Sequence, residues 1–182
     1  EKLFEFRLID ERIRSAFHQD PGQFVELSIF GVGEAPISIS SAPSKQGFIE
    51  LCVRRAGRFT EALHAMQCGD VVGIRGPFGR GFPFEEMKGH DILLVAGGLG
   101  IAPLKSLINY IHDERHAFGK VTIIYGSKNP REVMFRNQFE MWKHRRDFDL
   151  HLTVDNYEEG WDGEVGLVTK PFESIEVDAE NT

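Results

Sequence analysis

From Asp91 to Pro103 the chain reads Asp-Ile-Leu-Leu-Val-Ala-Gly-Gly-Leu-Gly-Ile-Ala-Pro, and a helix pattern follows directly. The apolar run Ile92 to Ala96 has the length of a buried strand and falls far short of the ~20 residues a membrane span needs. Leu104, Leu107, Ile108 and Ile111 then recur at helical spacing across Pro103 to Arg115. A buried strand that passes through glycines into a helix commits the chain to a crossover, and hence to a parallel sheet. Val121 to Tyr125 supplies the next strand, Asn137 to His144 the next helix, and Asp149 to Val154 a third strand. This half reads as an α/β domain.

The preceding residues follow another period. Leu3 to Leu8 alternates, Pro21-Gly22 turns into Gln23 to Ile29, and Phe48 to Val53 and Asp70 to Arg75 complete the set. Short alternating segments punctuated by turn residues predict a small antiparallel barrel or sandwich. The change of period places a boundary near Lys88-Gly89, which gives one domain over 1–87 and a second over 88–182. No internal repeat or low-complexity tract is visible.

Composition narrows the function classes. A net charge of −7 weighs against a nucleic-acid partner. The opening Glu-Lys-Leu-Phe-Glu-Phe lacks the apolar block of a signal peptide, so a cytoplasmic protein is expected. Cys52 and Cys68 cannot by themselves ligate a metal or an iron–sulfur cluster. They read as two buried free thiols in a reducing compartment, with a mutual disulfide as the alternative.

Glycines between a strand and a helix let the backbone approach a phosphate, and the helix start adds free N–H groups and a positive dipole end. Gly97-Gly98-Leu99-Gly100 has that placement, although Pro103 stands where the G-x-G-x-x-G fingerprint has its last glycine. A plain tight turn in an α/β protein would look the same. A second loop, Gly126-Ser127-Lys128-Asn129-Pro130-Arg131, follows the second strand and borders the carboxyl edge of the sheet, where ligands of open parallel sheets lie. It has no carboxylate for a free ribose 2′-hydroxyl. Lys128 and Arg131 suit a phosphate, which leans towards NADPH over NADH; a solvated loop has the same composition.

Four motifs occur in one order: Gly33-Glu34-Ala35-Pro36-Ile37-Ser38-Ile39-Ser40-Ser41, Leu51-Cys52-Val53-Arg54-Arg55-Ala56-Gly57-Arg58-Phe59-Thr60, Gly76-Pro77-Phe78-Gly79, and Gly97-Gly98-Leu99-Gly100-Ile101-Ala102-Pro103. In order and spacing they resemble the ferredoxin–NADP⁺ reductase superfamily. The flavin subunits of sulfhydrogenases and anaerobic sulfite reductases are the nearest match, and the electron-transfer subunit of dihydroorotate dehydrogenase comes second. The resemblance implies an antiparallel FAD-binding barrel followed by a parallel-sheet NAD(P)-binding domain. It implies a flavoprotein oxidoreductase that moves electrons between NAD(P)H, FAD and an iron–sulfur partner subunit of hydrogenase or sulfite reductase type.

By that resemblance Pro36-Ile37-Ser38 replaces an Arg-x-Tyr-Ser motif. Ser38 would hydrogen-bond near flavin N5, and Ile37 would cover one ring face. Ala35 stands where the arginine would be, so Arg54 is the candidate for the missing phosphate contact. Gly57 to Thr60 would meet the FAD pyrophosphate, with Glu61 to Met66 as the helix behind, and Arg54, Arg55 and Arg58 would concentrate positive charge there. Ile39, Ser40, Cys52 and Val53 adjoin these positions and are carried over with them. Gly76 and Pro77 would fix the floor between the cofactors. Gly97, Gly98, Gly100, Ile101 and Pro103, with Gly126, Ser127, Lys128 and Arg131, would line the nucleotide site. Asp155 and Trp161-Asp162-Gly163 also match the subgroup. The superfamily has one more barrel strand before Glu1 and continues past Thr182, where a cysteine-rich tail holds a [2Fe–2S] cluster in the subgroup. The chain is therefore expected to be incomplete at both ends, with Ile92 to Ala96 on an open sheet edge. A non-redox scaffold of the same fold is the rival from another class.

Overall fold

The computed structural model describes residues 1–143 and 148–182. The chain divides into two compact units, Glu1–Phe84 with Ala102–Asp113 and Glu85–Ile101 with Glu114–Thr182.

In the first unit β1 (Lys2–Arg7) pairs antiparallel with β4 (Phe48–Val53). In a second sheet β2 (Phe24–Ile29) lies between β3 (Gly33–Ser38) and β5 (Gly73–Phe78), antiparallel to both. A single bridge, Ile39 with Leu51, joins the continuation of β3 to β4. Successive side chains of a strand face opposite ways. Val25 and Leu27 of β2 thus meet Ile49, Leu51 and Val53 of β4 in one core.

Several boundaries differ from the sequence expectation, each for a local reason. The strand expected from Asp70 starts at Gly73, because the Asp70 carboxylate accepts the Gln67 N–H at 2.8 Å and closes a turn. Gly76-Pro77 then falls inside β5. Pro77 is tolerated there, as is Pro36 in β3, because both strands are edges of their sheet and lose no ladder bond. The short α1 (Glu11–Ala16) had no readable period; Asp10 caps it by accepting from Arg12 N–H at 2.9 Å. The helix expected from Glu61 begins earlier, so α2 spans Arg58–Ala65.

In the second unit β6 (Ile92–Gly97), β7 (Val121–Ser127), β8 (Phe148–Val154) and β9 (Glu164–Val165) form a parallel sheet in that order. β6 is an edge of that sheet, and the N–H of Asp91, just before it, donates to the Asn181 carbonyl. Every residue of β7 is buried. Tyr125 stacks on Phe139 of α4 (Arg136–Lys143), and Trp142 meets Phe139 edge-on, both at 5.2 Å. The last residue of the helix expected there, His144, lies outside the described residues. The long helix α3 (Ile101–Asp113) carries Pro103 in its first turn, where no N–H is missed. No helix among the described residues is long and apolar enough to cross a membrane.

Candidate cofactor sites

In the first unit the critical geometry is at the start of α2. Gly57 is its N-cap, with φ of 154° and ψ of 176°, a backbone region open in practice to glycine alone. No side chain caps this helix end. The only partner close by is internal: Thr60 Oγ1 accepts the Ala56 N–H at 2.9 Å and donates to the Gly57 carbonyl at 2.9 Å. Uncapped N–H groups with a positive dipole end suit an anion. Arg58, the first residue of α2, lines a hollow of about 870 Å³ together with Phe30, Gly33, Glu34, Val71 and Gly73. That volume is in the range of ligand pockets. A Cβ at Gly31, Gly33 or Gly57 would meet nothing within 4 Å, so the space beside them is free. The residues present therefore fit a nucleotide-bearing flavin.

The cations are distributed differently from the sequence expectation. Arg54 Nε lies 2.6 Å from Glu1 Oε1, so this arginine already has a carboxylate. Arg58 is exposed at the helix end. Phe30, at the tip between β2 and β3, is fully exposed and borders the hollow. Sequence reasoning overlooked it; an aromatic residue beside Gly31 in a hairpin turn was the available signal. Cys52 and Val53 are buried in β4. Burial, aided by the Glu1 charge, pushes the Cys52 thiol up to about 11, so it packs and does not react. Both cysteines are free, but Cys68 is exposed rather than buried, because it sits in the turn that follows α2.

Ser38 ends β3 with a partly exposed side chain, between exposed Pro36 and fully buried Ile39 and Ser40; Ile37 packs partly against the core. The residues just beyond Ser38 are held mainly by side chains. Lys105 Nζ donates to the Ser40 carbonyl at 3.3 Å, and Ser106 Oγ to the Ser41 carbonyl at 2.6 Å. Gln19 Nε2 donates to the carbonyls of Ser41 and Ala42. Lys105 is wholly buried and also contacts Glu50 Oε2 at 2.6 Å; Lys45 reaches Glu50 Oε1 at 3.2 Å. Burial raises the Glu50 carboxyl, but the hydrogen bond and charge of Lys105, joined by Lys45, outweigh it and hold Glu50 below its ordinary value. Gly76, with φ of 135° and a Cβ position 3.2 Å from the Phe24 carbonyl, is fixed by the fold, and Pro77 is half-buried beside it.

In the second unit β6 ends at Gly97, and Gly98–Gly100 form one tight turn before Ile101. Gly98 has φ of 51°, and a Cβ at Gly97, Gly98 or Gly100 would meet nothing within 4 Å. The backbone there is open to a ligand, which fits the pyrophosphate of a nicotinamide nucleotide. Ile101 is buried, and Pro103 is half-buried. The loop after β7 is more divided. A Cβ at Gly126 would lie 2.6 Å from Val168 Cβ, so this glycine serves packing. Ser127 is 4% exposed and its Oγ lacks a protein partner. Lys128 is exposed, whereas Arg131 Nε lies 2.8 Å from Glu158. The residues after β8 run alongside: Asp155 N–H donates to the Ser127 carbonyl and Asn156 N–H to that of Lys128. The carboxylate absent from this loop's sequence is thus supplied by its neighbour.

Residues 2–82 match the oxidoreductase FAD-binding domain family, and residues 94–181 match the oxidoreductase NAD-binding domain family. The sulfhydrogenase 2 gamma subunit of Pyrococcus furiosus is 39% identical over all of this chain and 67% of its own length. The sulfhydrogenase 1 gamma subunit of the same organism is 47% identical over 79% of this chain and 49% of its length. A probable dihydroorotate dehydrogenase B (NAD(+)) electron transfer subunit of Methanothermobacter thermautotrophicus is 41% identical over 66% of this chain and 42% of its length. The chain thus spans between about half and two thirds of the curated relatives it matches best. Among solved structures, Amycolatopsis cytochrome P450 reductase GcoB superposes with a TM-score of 0.77 at 24% identity, over 93% of this chain and 51% of that one. At that identity the likeness speaks for the fold.

Proposed function

The chain belongs to the FAD- and NAD-binding oxidoreductases of the ferredoxin–NADP⁺ reductase type that include the sulfhydrogenase gamma subunits, and from this we propose that it is a flavin-dependent electron-transfer subunit. It would pass electrons between NAD(P)H, FAD and an iron–sulfur subunit of hydrogenase or sulfite reductase type. The observation that carries this reading is that one chain holds two glycine-led helix starts with open space beside the glycines, at Gly57 and at Gly98–Gly100.

We assign FAD to the 1–87 domain and the nicotinamide nucleotide to 88–182. Bound there, the flavin exchanges two electrons with a nicotinamide and single electrons with an iron–sulfur centre. The α2 N-terminus, Arg58 and the Thr60 hydroxyl hold the pyrophosphate. Ser38 donates to the edge of the flavin ring, with Pro36 and Ile37 beside it. The Gly97–Gly100 turn receives the nicotinamide nucleotide with its backbone, and Ile101 and Pro103 anchor that turn to α3. No acid–base pair or nucleophile is required of the protein, whose work is to bind, orient and exclude water. The two free thiols accord with a reducing compartment, so the proposal places the protein in the cytoplasm. The dihydroorotate dehydrogenase relative supports the same cofactors with a different partner; Ala35, where that group carries arginine, weighs against it.

The test is to denature the purified protein and analyse the supernatant by chromatography. Free FAD is expected, and anaerobic NADH or NADPH should bleach the visible flavin band of the folded protein. A protein that cannot be loaded with any flavin would sink the assignment.

A further inference from the structure

Lys105 is the feature that packing alone explains least. It stands one turn into α3, with no exposed surface, and a buried ion pair is commonly no more stabilising than an apolar pair of the same volume. Its contacts converge on the stretch that follows Ser38. Beyond Ser38 the β3 ladder ends, and the Ile39–Leu51 bridge is the only pairing that remains. Side chains take over: the Ser40 carbonyl accepts from Lys105, the Ser41 carbonyl from Ser106 and Gln19, and Ser41 Oγ from Glu50 N–H at 3.1 Å. At its far end α3 is tied to the same region, where Ser44 Oγ donates to Asp113 at 2.6 Å. The backbone position of Ser38 is therefore set by α3 as well as by the sheet.

Resting on the flavin assignment above, we propose that Lys105, through Glu50 and the Ser40 carbonyl, is a positioning residue that sets the placement of Ser38 against the flavin. Lys105 does not touch the cofactor in this scheme. It neutralises Glu50, holds the Ser40 carbonyl and keeps Ser38 at the end of β3. Because α3 also continues directly from the Gly98–Gly100 turn, the residues that receive the nucleotide and those that fix Ser38 share one rigid helix.

Lys105→Met would leave Glu50 buried with only Lys45, so the principal variant is Lys105→Met/Glu50→Gln, which removes both charges. Lys105→Arg is the conservative control, and Ser106→Ala removes one carbonyl partner with no change of charge. Each is made in the full-length protein, loaded with FAD and compared for melting temperature, flavin content, visible circular dichroism, midpoint potential and stopped-flow reduction by NAD(P)H. The double variant should retain FAD, show a shifted midpoint potential and flavin dichroism, and be reduced about ten- to a hundredfold more slowly, the loss expected from a misplaced group near the reacting atoms. Lys105→Arg should restore most of the potential, and Ser106→Ala should shift it in the same direction by less. A double variant with the parent's potential, dichroism and rate would show Lys105 to be structural only. If that variant fails to hold FAD, an unchanged potential in Ser106→Ala overturns the proposal and a shifted one supports it. A parent protein that takes up no flavin would overturn the functional reading itself, a result separate from all of these.

Discussion

A glycine can be present because a ligand needs its space or because a neighbour already occupies it, and this chain has both kinds in its nucleotide half. Beside Gly100 a Cβ meets nothing within 4 Å; beside Gly126 it lies 2.6 Å from Val168 Cβ and 3.2 Å from Thr153 Oγ1. Gly100→Val should therefore leave stability within about 0.5 kcal/mol, as surface changes do, while blocking backbone approach to a pyrophosphate. Gly126→Ala should lower stability by about 1–3 kcal/mol through overpacking. Thermal melts and NAD(P)H titrations of the two proteins separate these cases. A Gly100→Val protein with the parent's nucleotide affinity would mean that the ligand lies elsewhere. In the sequence the two glycines were alike, each at the end of an apolar strand. Only their neighbours distinguish them.

Among the elements, α2 shows how a charge cluster becomes an ordered site. Arg54, Arg55 and Arg58 were equivalent cations in the sequence. Folding pairs Arg54 with Glu1 and sets Arg58 at the uncapped start of the helix, beside the hollow. Arg58→Ala should accordingly weaken FAD binding more than Arg54→Ala. Thr60→Ala removes the hydroxyl that ties Ala56 N–H to the Gly57 carbonyl and, in the proposed site, a donor to a charged phosphate. A hydrogen bond to a charged group contributes about 1.5–3 kcal/mol, or roughly a 10- to 150-fold change in affinity. Fluorescence titration of the apoprotein with FAD measures all three variants. An Arg54→Ala effect equal to or above that of Arg58→Ala would restore the sequence-based assignment. Element boundaries were legible wherever alternation was long, as in β4 and β7. They failed where one side chain, such as Asp70 or Asp10, set the turn or cap.

For the molecule as a whole, the Lys105–Glu50 pair predicts a pH response. Glu50 titrates below its ordinary value of 4.5 in the folded chain. Its ionised form thus adds stability that is fully present above 4.5, and this is lost as the pH falls through the lower folded value. Between those pH values the unfolded chain binds the proton first. Melting temperatures measured from pH 7 down to pH 3 should fall more steeply below about 4.5 in the parent than in Lys105→Met/Glu50→Gln. Parallel curves would mean that the pair does not titrate with unfolding.

Periodicity and glycine placement alone determined that an antiparallel half precedes a parallel one, because alternation by two and spacing by three to four are written directly into the order of apolar residues. The four motifs likewise marked where cofactors approach the backbone. What the order of residues could not carry was the pairing of distant charges. Glu50 sits in an alternating strand as a residue that ought to face solvent, yet it is 8% exposed, because Lys105, far away in sequence, covers it. The same holds for Glu158 against Arg131 and Glu1 against Arg54. A carboxylate acts on whichever cation lies within a few ångströms, and that distance is decided by how the elements pack.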